Sequence, residues 1–195
     1  MIFNRRFGIG FTLIEVLVVV AILAILSALV LVAVSGQFEK TKIVGATSDA
    51  ATLKIATQLY FKDMGFYPPD TWRGADPGFT QSLPYYPDGY SESVPYDDSY
   101  LPSNWQDIVA QNWQGPYLGE WPDKTPWGGE YDYNYWKSGG SRYGCEVPPG
   151  IYAGIQGDYS NNNTIPQSAE QELVNLNYDG DGCINGESQL ILIKF

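Results

Sequence analysis

Histidine is absent from the 195 residues. That excludes a Ser-His-Asp or Cys-His catalytic set and any zinc site with a histidine ligand. Cysteine is scarce: there are two, Cys145 and Cys183, so a four-cysteine zinc site is excluded as well. Positive charge is also in short supply. Eleven Lys and Arg stand against 22 Asp and Glu, a formal net charge of -11. Such a surface repels nucleic acid and anionic headgroups and suits divalent cations, so no direct nucleic-acid binding is expected. Charged residues of both signs make up only 17 %, whereas Tyr (15), Trp (6), Gly (21) and Pro (13) are plentiful. The aromatics supply enough apolar surface for a core, which points to a loop-rich exported domain and not a disordered one.

Charge is missing altogether from residues 16–34. Before this run stand Arg5 and Arg6 and then Gly10-Phe11-Thr12-Leu13-Ile14-Glu15. A charged side chain at the centre of a membrane span costs roughly 2.5–3.5 kcal/mol, and less near its ends, so Glu15 needs a partner. A cut between Gly10 and Phe11 would supply one, because Phe11 would carry a free amine one helical turn from Glu15. Three other readings fit parts of this pattern. In the first, an uncleaved single-span anchor keeps Arg5 and Arg6 in the cytoplasm. In the second, a secretory signal is cut after Ala33-Val34-Ser35, before Gly36; that needs an apolar core of about 7–15 residues, and residues 13–34 run longer. The third, a buried helix of a soluble protein, suits so long a run poorly, since about 20 apolar residues suffice to span a bilayer. The motif around Gly10 resembles the class III leader of type IV pilins and type II secretion pseudopilins. There a membrane peptidase cuts after the glycine and before a phenylalanine, and the glutamate becomes the fifth mature residue. The resemblance implies cleavage between Gly10 and Phe11, N-methylation of Phe11 and a role for Glu15 in assembly.

Beyond Gly36, apolar or small residues recur at Ile43, Ala46, Ala50, Leu53, Thr57, Tyr60 and Met64, the three- and four-residue spacing of one helix face. The pattern stops at Gly65 and Pro68-Pro69, a glycine near the C-cap followed by prolines. One helix over 11–64 would be about 80 Å long. It contains no proline, whereas the family pattern has a helix-breaking proline early in the mature chain; Ser35-Gly36 is the place where this helix would loosen, if it does so on assembly. Gly36 and Gly45 are its weak points, each costing up to about 1 kcal/mol relative to alanine.

Residues 66–120 are rich in Pro, Gly, Tyr and Asp and read as turns and loops, apart from a short helix over 103–111 with Ser103 as its cap and Trp105, Ile108 and Val109 on one face. Gly115-Pro116-Tyr117-Leu118 and then Pro122 to Tyr133, with Pro126-Trp127-Gly128 at its centre, resemble the "GPYL … P-x-DPWG-x-x-Y-x-Y" segment of the major pseudopilin of type II secretion. Thr125 stands where that pattern has an aspartate. Phe66-Tyr67-Pro68-Pro69 likewise resembles the family's helix exit. Tyr131, Tyr133 and Tyr135 alternate as on a strand. Further strands are expected over 150–155 and 189–195, the latter as a buried central strand against the helix because Leu190-Ile191-Leu192-Ile193 is continuously apolar. The expected fold is α+β: a pilin-like ladle whose long N-terminal helix lies, by its C-terminal half, on a small antiparallel β-sheet of three or four strands with long loops.

Asn177-Tyr178-Asp179-Gly180-Asp181-Gly182-Cys183-Ile184-Asn185-Gly186-Glu187 is the best candidate site. Alternating oxygen side chains around a glycine are how a short loop wraps Ca²⁺, which takes six to eight oxygens. Asn177, Asp179, Asp181 and Gly182 fall at positions one, three, five and six of an EF-hand-like count, but Glu187 falls at eleven and not twelve, so the full motif is not met. Asn185 is a further candidate ligand. The family carries a calcium site in a C-terminal loop, and the resemblance implies calcium here; the alternative is an Asx-rich turn. In an oxidising compartment Cys145 and Cys183 are expected to pair, stabilising the domain by about 4 kcal/mol in the chain-entropy model. Asn162-Asn163-Thr164 is a glycosylation sequon, meaningful only in a host that glycosylates exported proteins.

Nothing in the sequence sets two carboxylates at a glycosidase separation, so no enzymatic activity is expected. Exposed tryptophans binding carbohydrate is the more credible ligand reading. The sequence therefore divides into a leader (1–10), a transmembrane or filament-core helix (11–35) and an exported domain (36–195), in which an amphipathic helix (36–65) precedes loops and sheet (66–195). The expected function is a structural prepilin subunit of a type IV pilus-like filament or type II secretion pseudopilus. Its expected partners are other pilin or pseudopilin subunits, the prepilin peptidase and inner-membrane assembly machinery. It would be a single-pass precursor in the cytoplasmic membrane, then part of an extracellular or periplasmic filament. The alternative is a single-span, membrane-anchored extracytoplasmic ligand-binding protein.

Overall fold

The computed structural model describes residues 11–83, 96–142 and 144–195, without the side chains of 29–35. The expected leader and its Gly10 lie outside the described residues. The elements are α1 (Leu13–Met64), α2 (Trp105–Asn112), β1 (Glu130–Trp136), β2 (Gly140–Arg142), β3 (Cys145–Val147), β4 (Gly150–Gln156), α3 (Gln167–Asn175) and β5 (Ser188–Lys194). Two compact units divide the chain, residues 1–40 and 41–195. The fold class is mixed α+β, pilin-like in pairing a long N-terminal helix with a small antiparallel sheet.

In the first unit, every described side chain over 11–28 is exposed, Phe11 by 87 %. Among the described residues no helix is long and apolar enough to cross a membrane. The span expected over 11–35 runs through the side chains at 29–35, which lie outside the described residues.

The second unit holds the core. Ile43, Ala46, Ala50, Leu53, Thr57, Tyr60 and Met64 are all buried, so the helical spacing read from the sequence is the face that packs. Gly65 ends the helix with φ 78°, a left-handed conformation that glycine adopts without a Cβ penalty, and its N–H donates to Phe61 O at 2.8 Å. The helix face meets a three-stranded antiparallel sheet of order β1-β4-β5, in register Tyr133↔Ala153 and Ala153↔Leu190. Tyr131, Tyr133, Ile151, Ala153, Ile155, Leu190 and Leu192 share one buried cluster with the helix residues. Tyr131 donates its hydroxyl to Asp49 Oδ2 at 2.7 Å and Tyr117 to Asp63 Oδ2 at 2.9 Å, two further ties between helix and aromatic core. Thr125, Gly128 and Gly129 close the Pro126-Trp127-Gly128 turn with two backbone bonds (Gly128 N to Thr125 O, 2.8 Å; Thr125 N to Gly129 O, 3.0 Å), and Trp127 plugs the core.

Two expectations are corrected. β5 is an edge strand and β4 the central one. Its continuous apolar run arises because both of its faces are covered: Leu190 and Leu192 enter the main core, while Ile191 packs on a second cluster of Trp136, Val147 and Tyr152. The short helix starts at Trp105 with Asn104, not Ser103, at its N-cap, and no side chain caps it. A turn in which Trp105 N–H donates to Pro102 O at 2.9 Å moves the first helical residue along the chain.

Loops run along both edges of the sheet. Thr71 and Gly74 donate to Tyr133 O (3.4 Å) and Tyr131 O (2.9 Å) of β1. On the β5 side, Gly180 N donates to Gln189 O (2.8 Å) and Ile191 N to Tyr178 O (3.1 Å).

Candidate functional site

The first candidate is the head of α1. Thr12 is the residue before the helix, and Glu15 is its third residue. Glu15 Oε2 accepts from both Thr12 N and Thr12 Oγ1 at 2.8 Å, while Glu15 N donates to Thr12 Oγ1 at 3.3 Å. This is a reciprocal capping box, which satisfies donors that a helix start otherwise leaves bare. The Thr12-x-x-Glu15 spacing was readable in the sequence, yet Thr12 was not singled out there. A helix that is apolar around its whole circumference and exposed needs lipid or other helices to cover it.

The second candidate is the acidic loop between α3 and β5. Cys145 and Cys183 are joined by a disulfide with Cα atoms 6.0 Å apart, linking β3 to this loop. Asp179 is buried; its Oδ1 accepts from Asp181 N and Gln189 N, both at 3.2 Å, and its Oδ2 has no partner. Asp181 Oδ1 accepts from Cys183 N at 2.9 Å. Burial pushes the Asp181 carboxyl up, against the pull of the Cys183 N–H, and the neighbouring Asp179 pushes it further. Gly180 lies so close to the Tyr152 ring that a Cβ would collide with it, which requires glycine between the two aspartates. The structure therefore brings Asp179 and Asp181 together.

The other expected ligands face elsewhere. Asn177 is exposed, with φ 58°. Asn185 accepts from Glu187 N at 2.9 Å and donates to Cys145 Sγ at 3.1 Å. Glu187 turns toward Arg73, 3.9 Å away. An acid that the sequence did not mark also enters the loop. Glu170 of α3, wholly buried, accepts from Asn185 N at 2.8 Å and Gly186 N at 3.0 Å, and burial raises its pKa. Among the described residues, no three His, Cys, Asp or Glu side chains are grouped so as to hold a metal ion. The unpartnered Asp179 Oδ2 beside Asp181 does fit a hard cation, provided that carbonyl or amide oxygens complete its shell.

Comparison with known proteins bears on the first candidate. Residues 9–31 match the family model of the prokaryotic N-terminal methylation motif. Type II secretion system core protein G of Pseudomonas aeruginosa is 34 % identical over 120 residues, covering 58 % of this chain and 82 % of that protein. The protein of the same name from Klebsiella michiganensis is 37 % identical over 100 residues, 48 % of this chain and 70 % of that protein. That of Vibrio cholerae is 33 % identical over 124 residues, 64 % of this chain and 68 % of that protein. No solved structure matches the chain significantly. With a methylation motif across the head of α1 and more than two thirds of each of these relatives covered, the chain belongs to the family of type II secretion system core protein G.

Proposed function

We propose that the protein is a structural subunit of a type II secretion pseudopilus, not an enzyme. It is made as a precursor, cut between Gly10 and Phe11 by a prepilin peptidase and N-methylated at Phe11. The helix over 11–35 then holds it in the cytoplasmic membrane until assembly machinery moves it into a periplasmic filament with other pseudopilin subunits. The observation that carries this reading is the head of α1: a glutamate at the mouth of an exposed apolar helix, within the stretch that matches the methylation motif. Once Phe11 has a free amine, Glu15 can exchange Thr12 for that amine, on its own chain or a neighbour's, where water is excluded.

Mass spectrometry of the N-terminus from cells tests it. A methylated Phe11 start is the expected result, and Met1 would leave an uncleaved anchor. Gly10→Val should leave uncut precursor in the membrane. Glu15→Leu should still be cut and inserted but assemble poorly, and filament yield equal to wild type would remove the role given to Glu15.

Calcium is the second part of the proposal, with Asp179 and Asp181 as its carboxylate ligands. A cation there would relieve the repulsion between two neighbouring carboxylates and tie down a loop already held by the disulfide. Binding only to the folded state adds about 2.7 kcal/mol at a hundredfold excess over Kd. The oxidised protein should then melt at a higher temperature in millimolar calcium than in chelator. Asp179→Ala with Asp181→Ala should abolish the difference.

A further inference from the structure

The sheet face turned away from α1 is buried but only partly apolar, for polar side chains lie beside the small cluster of Trp136, Tyr152 and Ile191. Asp132, Asn134 and Trp136 of β1 lie there with Gln156 of β4, and Asp132, Asn134 and Gln156 are each less than a tenth exposed. They line a cavity of about 310 Å³, closed from the side by Asp70, Trp72 and Arg73 and by the loop of Tyr159 and Asn161. Gly154 sits opposite Asp132 in the ladder, and a Cβ there would crowd Asn134 Nδ2 at 2.8 Å.

Four polar atoms around this cavity have no hydrogen-bond partner: Asp70 Oδ1, Trp72 Nε1, Asp132 Oδ1 and Gln156 Oε1. Buried polar groups are nearly always paired, because each orphan costs about 1–3 kcal/mol. Four on residues that line one cavity point to a missing ligand with hydroxyls. Gln156 Oε1 accepts, Trp72 Nε1 donates, and each carboxyl does either according to its proton, with aromatic rings of Trp72, Tyr96, Trp136 and Tyr159 among them.

The arrangement discriminates between ligand classes. An anion would find both arginines engaged, since Arg73 serves Gly157 O (2.9 Å), Asp158 O (3.2 Å) and Glu187, and Arg142 lies over the Trp136 ring at 5.2 Å. A cation would require Asp70 and Asp132 to be ionised together beside those two arginines. Burial instead favours their neutral forms, raising Asp70 well above the usual carboxylate range and Asp132 to about 7. A polyhydroxylated ring satisfies acceptors and donor alike and lays its C–H faces on aromatic rings.

We propose that this cavity binds one neutral sugar residue, with Asp70, Asp132 and Gln156 taking its hydroxyls, Trp72 donating its indole N–H and the surrounding rings packing on its carbon faces. The site lies within residues 41–195 and stands or falls independently of the filament reading. The sugar is either a free monosaccharide or a unit of a longer chain.

The test is ligand-observed saturation-transfer NMR on the full chain, in a detergent without a sugar headgroup. The probes are the methyl glycosides of glucose, galactose, mannose and N-acetylglucosamine, the disaccharides maltose, cellobiose and chitobiose, and methylammonium. Saturable transfer at millimolar concentration to at least one sugar is expected. A methyl glycoside that binds as well as its disaccharide means that a single unit fills the site, and transfer to the disaccharide alone means that the site grips a chain. Asp132→Leu, which replaces an orphaned acceptor with an apolar side chain of similar size, should weaken binding about tenfold or more. Trp72→Phe keeps an aromatic ring but removes the donor, and it should weaken binding by a smaller factor. Absence of transfer to every sugar, transfer to methylammonium alone, or sugar binding unchanged in both variants would overturn the proposal.

Discussion

The two faces of the three-stranded sheet are both buried, and they are built on opposite principles. Toward α1 lie Tyr131, Tyr133, Ile151, Ile155, Leu190 and Leu192, packed with Leu53, Ala56 and Tyr60. Toward the other side, beside the small apolar cluster that holds Ile191, lie Asp132, Asn134, Gln156 and Gln189, linked by Asn134 Nδ2 to Gln189 Oε1 (3.1 Å) and Gln156 Nε2 to Asp132 Oδ2 (2.9 Å). The first face gains from every apolar surface that it removes from water. The second forms its own hydrogen bonds incompletely, and in the water-poor interior incomplete pairing is costly. One face holds the domain together, and the other carries a penalty that a ligand can offset.

Neighbouring residues give the most direct way to break this comparison. Leu192→Ala opens a cavity in the apolar face and should cost about 3 kcal/mol or more, whereas Ile191→Ala, on the opposite face and only partly buried, should cost about 1–2 kcal/mol. Urea unfolding of the two variants measures both, and equal losses would mean that the faces do not differ.

The polar face should also be visible in the pH dependence. Asp70 and Asp132 titrate above their ordinary values, so the folded chain keeps protons that the unfolded chain has released by pH 5. The contribution of Asp132 is whole below the ordinary carboxylate pKa of about 4 and is lost as pH rises through about 7, and that of Asp70 is lost well above the usual carboxylate range. The unfolding free energy should fall by about 2–3 kcal/mol from pH 5 to pH 8 through Asp132 alone, and Asp132→Asn should remove that part of the slope. The smallest effect belongs to Tyr131→Phe, which keeps the ring in the core and loses only the hydroxyl bond to Asp49. It should cost about 1 kcal/mol in the same measurement.

How legible these features were in the sequence follows from how local their causes are. The helix face from Ile43 to Met64 repeats at the helical period, so seven positions were readable, along with the glycine that stops the helix. The alternating tyrosines of β1 were readable for the same reason. Alternation also implies that Asp132 and Asn134 face water, and this fails because loops distant in sequence, around Asp70 and Tyr159, fold over them. No periodicity announces a cover supplied by another part of the chain. α3 went unread because Gln167–Asn175 is mostly polar and buries only Ala169, Glu170 and Leu173. At the candidate sites, the Cys145–Cys183 pair was legible from cysteine count and compartment. Glu170 was not, since its role depends on meeting the backbone of Asn185 and Gly186 across the fold.

The covered edges of the sheet have a consequence for a chain that polymerises. A bare edge strand is a template onto which any other strand can zip, in any register and without limit. Here the β1 carbonyls of Tyr133 and Tyr131 accept from the N–H groups of Thr71 and Gly74, and β5 pairs with Tyr178 and Gly180. The domain thus withholds the most promiscuous kind of self-association open to a β protein. Copies of it, however crowded, are steered away from amyloid-like stacking of strand on strand.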